Sequence, residues 1–517
     1  MVLAATALGI AASVRFGVVG GPDYREALVV GTVPFSLNPL IGTQDRAVHD
    51  IGHLLYRSLL RLDATAYPRP DLAQSYSVSS DGLTYTAVLA PRQRWSSGAV
   101  ITPLDVVATM AFVQSSPVVD RSVAALVQGV KVSATGSTIR FTLPAPRASF
   151  AAALTQLPVL PLGSAKPAQV AADAAHPNVP LATSGEYRVT KTDDRSIALE
   201  ANPFASPRAH LARVEFDLYT SFSAAAAAFT GGGSDALLAT TPAQRAKLAQ
   251  RSGSHAHPIT TFQFVDLLFN ERIPGLDDPV VRHAVATTVD RTALVRGALE
   301  TDAGTPQVGA ITRGLPWVGG AAPPPAASPA TAAAALQQDG WTTGPQGMRV
   351  RGSTALDYLL TVPQVDPLPT VASEVARQLG TIGIRVRVAP VPAAQFMTPD
   401  LTQHDFQLAL GDWDNGPDPD VSVFWRSNAT PPQGFNVSGA PADPFLDQSL
   451  DVLASDTDPQ ARVAAATAVS RDLAADVPAT FLYTPELTYL VHGSMSMTIP
   501  AAGGSAARFD AIASWHH

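Results

Sequence analysis

The densest group of chemically capable side chains lies in the stretch GDWDNGPDPD, residues 411–420. It places four aspartates and one tryptophan close together in a chain of which only 15% is charged. Carboxylates grouped in this way could bind calcium, act as a catalytic acid–base pair, or hold a cationic ligand. The rest of the sequence has to distinguish these three chemistries.

The spacing of the aspartates does not fit a calcium loop of the EF-hand type. With Asp412 at position 1 and Asp414 at position 3, Pro417 occupies the position that needs a glycine for the turn. Val423 falls where such loops place a bidentate glutamate. Catalysis by paired carboxylates has no further signal, because nothing in the sequence identifies which pair would act. Binding of a cationic ligand is therefore the favoured chemistry.

The chain carries no convincing catalytic motif. It contains no cysteine, which excludes thiolate catalysis, disulfides, cysteine metal sites and a lipid anchor on a cysteine of this sequence. There is no GxSxG or HExxH motif and no phosphate-binding P-loop. His49 and His53 are four residues apart on a predicted helix and could bind zinc or nickel, although two histidines on a polar face are common. We expect no enzyme activity, no cofactor and no bound metal.

Length and composition indicate a folded chain of two or three domains. The chain has 517 residues, of which 46% are hydrophobic. Its net charge is −8, and the 35 lysines and arginines are spread without a basic run or a basic–aromatic patch. Nucleic acid is therefore not expected as a partner.

The N-terminal segment, residues 1–26, is apolar and resembles an export or anchoring segment. Its apolar run reaches Ser13, and Arg15 interrupts it before it attains the length that spans a membrane. No basic residues precede the run, so a buried first helix is the alternative. No other stretch is long and apolar enough to suggest a membrane span.

Helical and strand patterns alternate along the chain, which predicts a mixed α/β fold. A strand is expected over Arg25–Val33 and a helix over Arg46–Leu60, followed by a helix capped by Thr102 with Pro103 at its first position. A further strand, residues 405–413, should end at the acidic stretch. This would place the aspartates at the edge of a sheet where α/β clefts bind ligands.

Several segments, in order, resemble the peptide/nickel-type (family 5) extracellular solute-binding proteins of ABC importers. The resemblance runs over residues 28–492. The segments that carry it are PDLAQSYSVSSDGLTYT (70–86), SGEYRVT (184–190), FNERIPGLDDPVVRHAVATTVDRTALV (269–295), AAAALQQDGW (332–341), GDWDNGPDPD (411–420) and TDPQARVAAATAVSRDLAADVPATFLY (457–483).

The resemblance implies a two-lobed α/β fold of the periplasmic-binding-protein type (type II), with mixed sheets and an extra N-terminal subdomain. The chain should cross between the lobes near FVDLLFNER and return near ATFLYTPEL. The expected boundaries are 27–60 and 178–268 for lobe I, 61–177 for the extra subdomain, 269–478 for lobe II and 479–517 for the return to lobe I.

The resemblance also implies an extracytoplasmic solute-binding component of an ABC importer, which captures a small ligand between hinged lobes and delivers it to a membrane permease. An oligopeptide is the favoured ligand, although nickel chelates and oligosaccharides share the scaffold. The protein is expected as a monomer in the periplasm or at the cell surface, with attachment through the N-terminal segment left open. The alternative is a homologue without a transport role, acting as a sensor or as a regulator of cell-envelope assembly through protein contacts.

In peptide-binding members of this family an aspartate of the acidic loop pairs with the α-ammonium group of the ligand. Alignment on DNG assigns this role to Asp414, whereas alignment on PDPD assigns it to Asp412. Trp413 is expected to supply an apolar wall or a cation–π face. Asp418 and Asp420 are expected to build the turn into the next helix.

Two further places are expected to line the cleft. In GFN, Phe435 would offer apolar surface and Asn436 a paired donor and acceptor for a ligand backbone. Phe35 of the loop PFSLNP is the third ligand candidate. For each of these residues, a plain role in packing its loop is the alternative.

Overall fold

Strands and helices alternate throughout the part of the chain that the structure covers. This computed structural model describes residues 22–31, 37–41, 45–117, 119, 121–163, 182–248, 252–299, 304–312, 315 and 326–517. Residues 1–21 of the predicted N-terminal segment lie outside this range, and residues 24–26 belong to the first strand.

The strands, in chain order, are β1 Tyr24–Val29, β2 Leu60–Leu62, β3 Pro68–Pro70, β4 Ala73–Val78, β5 Thr84–Leu89, β6 Lys131–Thr135, β7 Thr138–Thr142, β8 Tyr187–Thr192, β9 Ser196–Ala201, β10 Arg213–Tyr219, β11 Ala236–Ala239, β12 Ser254–Thr260, β13 Gln263–Phe269, β14 Gly304–Pro306, β15 Thr342–Thr343, β16 Arg349–Arg351, β17 Thr354–Ala355, β18 Asp357–Pro363, β19 Arg385–Val391, β20 Leu408–Asp414 and β21 Ala479–His492. The helices are α1 Arg46–Leu55, α2 Pro103–Ser115, α3 Arg121–Leu126, α4 Phe150–Ala153, α5 Phe222–Thr230, α6 Pro242–Leu248, α7 Pro279–Thr288, α8 Arg291–Ala298, α9 Pro329–Gln338, α10 Leu368–Gly380, α11 Ala393–Gln395, α12 Ser422–Trp425, α13 Pro444–Ser455 and α14 Pro459–Asp476.

Local sequence signals explain where several of these elements begin. Helix α2 starts as predicted, because the backbone N–H of Thr102 donates to the carboxylate of Asp105 at 2.8 Å and Pro103 takes the first helical position. The predicted helix Arg46–Leu60 is too long, since α1 ends at Leu55. Tyr56 takes an extended backbone there, and Leu60 already pairs with β3. Pairing between strands thus overrides the helical pattern at this point.

The predicted first strand, Arg25–Val33, is also shorter in the structure. It runs over Tyr24–Val29 and pairs in parallel with β10 along its whole length. Val30 still donates to Tyr219, the last residue of β10, at 2.8 Å, so the pairing ends where β10 ends.

Strand β21 joins the two halves of a sheet that contains twelve of the described strands. The main path of this sheet is β19-β18-β20-β13-β21-β11-β1-β10-β9-β8, and β12 and β14 pair with β21. The first part of β21 pairs with β13 and its last part pairs with β11 and β12. Parallel pairs such as β1–β10 occur beside antiparallel pairs such as β13–β20, so the predicted mixed α/β architecture is confirmed.

Two chain segments run side by side from one half of this sheet to the other. One connects β12 to β13, and the other is the middle of β21. The backbone N–H and the hydroxyl of Thr261 both donate to the carbonyl oxygen of Pro485, at 3.1 and 2.9 Å. These bonds join the two segments where they pass between the halves.

Separate hydrophobic cores lie on the two faces of β13. Val265 and Leu267 belong to a core formed with α7, α8 and α10. Phe264 and Leu268 belong to a second core, which includes residues of α12, α13 and α14. A third and larger core surrounds β1, α1 and the small sheet β4-β5-β7-β6. None of the described helices is long and apolar enough to cross a membrane.

A buried ion cluster ties the C-terminal segment to the first strand. Arg508 has no solvent exposure, and its guanidinium lies 2.7 Å from the carboxylate of Glu26 and 2.9 Å from that of Asp50. Glu26 also accepts hydrogen bonds from the hydroxyls of Tyr24 and Tyr489, at 2.7 and 2.8 Å. The contacts of Glu26 with Tyr489 and with Arg508 connect residues that are 463 and 482 positions apart in the chain.

Candidate functional site

Strand β20 carries the first three predicted site residues. The predicted strand, residues 405–413, is present with shifted ends, since β20 runs over Leu408–Asp414. Its pairing with β13 continues to that end, where Asp414 lies opposite Gln263. Asp412 and Asp414 are therefore held on a strand, next to the segment that crosses between the halves of the sheet.

Trp413 lies on the face of β20 opposite to Asp412 and Asp414, because successive side chains of a strand alternate between faces. Its ring folds back over Gly411, where an added Cβ would lie 2.5 Å from the indole nitrogen. The structure thus separates the tryptophan from the two carboxylates, so an apolar wall or cation–π face from Trp413 would lie on the other face of the strand.

Asp266 is the partner of Trp413, and sequence reasoning missed it. The indole N–H of Trp413 donates to one carboxylate oxygen of Asp266 at 2.9 Å. The other oxygen, Oδ2, is buried and has no hydrogen-bond partner, and Asp266 as a whole is 0% exposed. Burial raises the pKa of Asp266 to about 8, the Trp413 hydrogen bond opposes this shift, and the charge of Asp412 adds to it. The sequence signal that could have pointed to Asp266 is its position as the single carboxylate within the apolar run FVDLLFN.

Asp266 lies at a small pocket with aromatic walls. The pocket has about 220 Å³ of space, part of it open to solvent. The rings of Trp413, Phe424 and Phe435 lie 5.6–6.2 Å from one another, centroid to centroid. The complete lining consists of Asp266, Leu268, Trp413, Phe424, Trp425, Phe435, Val437 and Ser438.

Asp412 and Asp414 form an uncompensated pair of negative charges. Both side chains are exposed, and neither forms an ion pair with any residue that the structure describes. The Asp412 side chain is reached by solvent, but surrounding protein atoms limit the hydration of its carboxyl group. This loss of hydration, together with the negative charge of Asp414, raises the pKa of Asp412 to about 7. Asp414 accepts a hydrogen bond from the backbone N–H of Gly416 at 2.8 Å. The pair therefore produces a negative potential at this end of the strand.

The predicted structural role of the other two aspartates is confirmed. Asp418 is 8% exposed and forms a buried ion pair with Arg462 of α14, at 2.6 Å. Asp420 accepts from the backbone N–H of Ser422 at 3.0 Å, at the beginning of α12. These contacts fix the turn that follows β20. Of the four aspartates in this stretch, Asp412 and Asp414 on the strand are the two that remain exposed and without a cationic partner in the described structure.

Asn436 is occupied by its own loop. Its amide nitrogen donates to the carbonyl oxygen of Arg426 at 3.0 Å, and its amide oxygen accepts from the hydroxyl of Ser438 at 2.9 Å. The structure thus shows the loop-packing alternative for this residue. Phe435 differs, because 38% of it is exposed and its ring contacts Trp413. Phe35, the remaining candidate, lies outside the described residues.

The turn after β20 faces residues of the small-sheet region. Gly416 lies beside Gln156, whose side-chain nitrogen would be 3.6 Å from a Cβ added to the glycine. Nearby, the backbone N–H of Ala148 donates to the carbonyl oxygen of Ala454 in α13, at 2.8 Å. The candidate site therefore lies where two separate parts of the chain come together.

Within the described ranges, no group of three or more histidine, cysteine, aspartate or glutamate side chains is arranged to hold a metal ion. His53, half of the histidine pair weighed as a metal site, has its Nε2 atom 2.8 Å from the carboxylate of Asp510. This contact ties α1 to the C-terminal segment.

Comparison with known proteins places this chain in a family. The model of the bacterial extracellular solute-binding proteins, family 5 Middle, matches residues 67–435. The chain belongs to the family 5 extracellular solute-binding proteins. Members of this family bind small ligands and work with the permeases of ABC importers. The predicted family is thereby confirmed.

Individual relatives cover most of this family 5 protein. Protein XP55 of Streptomyces lividans is 26% identical over 477 residues, which cover 90% of this chain and 84% of the relative. A putative ABC transporter peptide-binding protein of Brucella ovis is 25% identical over 424 residues, 79% of this chain and 77% of the relative. Family membership implies an extracytoplasmic location.

Solved structures confirm the predicted two-lobed fold. The oligopeptide-binding protein AppA of Bacillus subtilis, solved in complex with a nonapeptide, matches with a TM-score of 0.67 and 21% identity. The match covers 96% of this chain and 99% of AppA. At this identity the likeness concerns the fold, so the ligand has to be argued from the site itself.

Proposed function

We propose that this solute-binding protein captures an oligopeptide between its two lobes, holds the α-ammonium group at Asp412 and Asp414, and presents the peptide to an ABC permease. The observation that carries the proposal is the pair of exposed carboxylates, without a cationic partner in the described structure, beside the crossing segments. The Brucella ovis relative described as peptide-binding supports the same ligand class.

The charge state of the pair supports an ammonium ligand. With its pKa near 7, Asp412 is partly protonated at neutral pH in the unliganded protein. An incoming ammonium group favours the ionised form, which allows a charge-assisted hydrogen bond. Of the two aspartates, Asp414 already accepts the Gly416 N–H, whereas the Asp412 carboxylate has no described partner. Asp412 is therefore the stronger anchor in this proposal, with Asp414 adding charge.

Apolar contacts with the peptide are assigned to Phe435 and Phe35, and Trp413 contributes through the aromatic pocket on the other face of the strand. Lobe closure would pivot on the segments joined by Thr261 and Pro485. In this arrangement lobe I comprises 27–60, 178–268 and 479–517, lobe II comprises 269–478, and 61–177 forms the additional subdomain.

Thermal unfolding in the presence of peptides tests this function. Trialanine, tetraalanine and pentaalanine at 1 mM are expected to raise the Tm of the wild-type protein, because a ligand that binds only the folded state stabilises it. The double substitution Asp412→Asn with Asp414→Asn should weaken binding roughly ten- to a hundredfold and remove most of the shift, since it deletes charge-assisted hydrogen bonds.

The control is Asp194→Asn, which removes one carboxylate charge from the exposed turn between β8 and β9, several strands away from β20 in the sheet, and should keep the full shift. Equal shifts in the double variant and the wild type would contradict the anchoring role of the pair. Stabilisation by nickel–histidine or an oligosaccharide, with none by the peptides, would contradict the ligand class.

A further inference from the structure

The aromatic pocket has an unfilled hydrogen-bonding position. Asp266 is fully buried, yet its Oδ2 atom has no partner, and the indole N–H of Trp425 in the pocket wall is likewise buried and unpaired. A buried polar group without a partner destabilises a protein, so native proteins rarely keep one without a reason. The residues that carry these two atoms both line the same pocket, so a ligand group that reaches the atoms from the pocket would complete the missing hydrogen bonds.

The charges around the pocket favour a cation. Asp412 on β20 is the charged group that acts on Asp266, and Asp414 in turn acts on Asp412. On the other neighbouring strand, β21, the phenol of Tyr483 feels the charge of Asp412 and of Asp366. Arg426, which follows α12, is paired with Asp451.

Two further ionisable groups lie near the pocket. His404 has its Nδ1 atom 3.1 Å from the carbonyl oxygen of the pocket residue Val437, and Arg272 packs beside Gly439. In the described structure neither pairs with Asp266, and the charge that acts on Asp266 is the negative charge of Asp412.

The walls and the size of the pocket suit a compact ammonium group. The faces of Trp413, Phe424 and Phe435 attract cations through their ring quadrupoles. The enclosed part of the pocket is about the size of one water molecule, so only the tip of a side chain fits without movement of a ring. Phe435 is the exposed wall and provides the entrance. An ammonium cannot satisfy the N–H of Trp425, which needs an acceptor such as a water or a ligand carbonyl.

We propose that this pocket is a specificity subsite for a lysine-like side chain of the bound peptide, whose terminal ammonium donates to Oδ2 of Asp266 between the rings of Trp413 and Phe435. The subsite lies on the face of β20 opposite to Asp412 and Asp414, so it recognises a second cationic group in addition to the α-ammonium. The inference rests on the proposed function and adds to it a preference for peptides with a basic side chain.

A consequence of this subsite is proton release on binding. Asp266 holds a proton at neutral pH in the unliganded protein, since its pKa is near 8. An entering ammonium stabilises the carboxylate, and the proton passes to the buffer. The affinity for a basic side chain should therefore rise as the pH increases from 6 to 8.

Calorimetric titration at pH 7.5 with trilysine, trinorleucine and triglutamine tests the proposal. These probes share the α-ammonium group and the backbone. Trinorleucine lacks the terminal ammonium groups of trilysine, and triglutamine carries neutral amides on shorter side chains. Trilysine should bind roughly ten- to a hundredfold more tightly than trinorleucine, as expected for a charged hydrogen bond. Titration in phosphate and in Tris, whose ionisation enthalpies differ, should show up to one more proton released with trilysine than with trinorleucine.

The variant Asp266→Asn keeps an oxygen for the Trp413 N–H and should remove both the preference for trilysine and the additional proton release. Asp194→Asn is the control for a general attraction of cationic peptides to a protein of net charge −8, and it should behave like the wild type. If Asp266→Asn does not fold, the difference in proton release between trilysine and trinorleucine, measured on the wild-type protein, still tests the subsite.

Three results would overturn the subsite. They are equal affinities of the wild type for trilysine and trinorleucine, equal proton release with both, and tighter binding of triglutamine than of trilysine. With any of these, peptide binding itself would stand. If none of the three peptides binds to the wild-type protein, the proposed function is overturned as well, so the two failures are distinguishable.

Discussion

Replacing Arg508 with alanine is expected to lower the free energy of unfolding by about 3–5 kcal/mol. The substitution leaves the carboxylates of Glu26 and Asp50 buried, at 0% and 1% exposure, without their cation. It also removes the ring contact with Phe509, over which the guanidinium lies at 4.2 Å. Urea denaturation followed by circular dichroism measures the change, with the transition of the larger core expected to shift.

The control for this prediction is Arg471→Ala. Arg471 is 72% exposed in its side chain and, among the described residues, pairs only with the adjacent Asp472, so its loss should cost no more than about 1 kcal/mol. Similar effects for the two substitutions would mean that the buried cluster does not hold the C-terminal segment in place.

The second large effect concerns Asp266, whose replacement by asparagine should stabilise the unliganded protein at high pH. In the unfolded chain this carboxyl ionises near pH 4, whereas burial raises its pKa in the folded protein to about 8. The folded state therefore binds the proton more tightly, and the stability contributed by the protonated group is lost as the pH rises from about 4 to 8. Asparagine carries no proton to lose, so the variant lacks this pH dependence.

Urea denaturation at pH 5.0 and at pH 7.5 measures the difference directly. Between these values the wild type should lose about 3 kcal/mol of stability relative to Asp266→Asn, at 1.36 kcal/mol for each unit of pH over which the proton is retained. Asp194→Asn should follow the wild type. Parallel pH dependences of the wild type and Asp266→Asn would show that Asp266 is ionised in the folded protein.

Features of the sequence that act locally were predictable. The start of α2 follows from Thr102, Pro103 and Asp105, which are adjacent in the chain and form the capping contact among themselves. The turn after β20 also followed from its own residues, since Asp420 caps the segment that begins at Ser422. The family motifs also predicted the overall fold. Each motif is a short continuous stretch of sequence, so it can be recognised without knowing which distant residues it contacts.

The arrangement of the candidate site was less predictable because it depends on how far a strand extends. The sequence grouped Trp413 with Asp412 and Asp414, but pairing with β13 keeps this segment extended and sends the indole to the other face. Asp266 is 147 residues away from Trp413, and Arg508 is 482 residues away from Glu26. No periodicity or spacing connects such distant residues, so only the folded chain reveals these pairs.

A single comparison of ligands tests the central claim, that the carboxylates at the end of β20 hold the α-ammonium group of a peptide. Isothermal titration of the wild-type protein with tetraalanine and with N-acetyl-tetraalanine changes only the charge at the peptide's N-terminus. We predict that the free peptide binds and that acetylation weakens binding roughly ten- to a hundredfold. Equal affinities for the two peptides, or no binding of either, would contradict the claim.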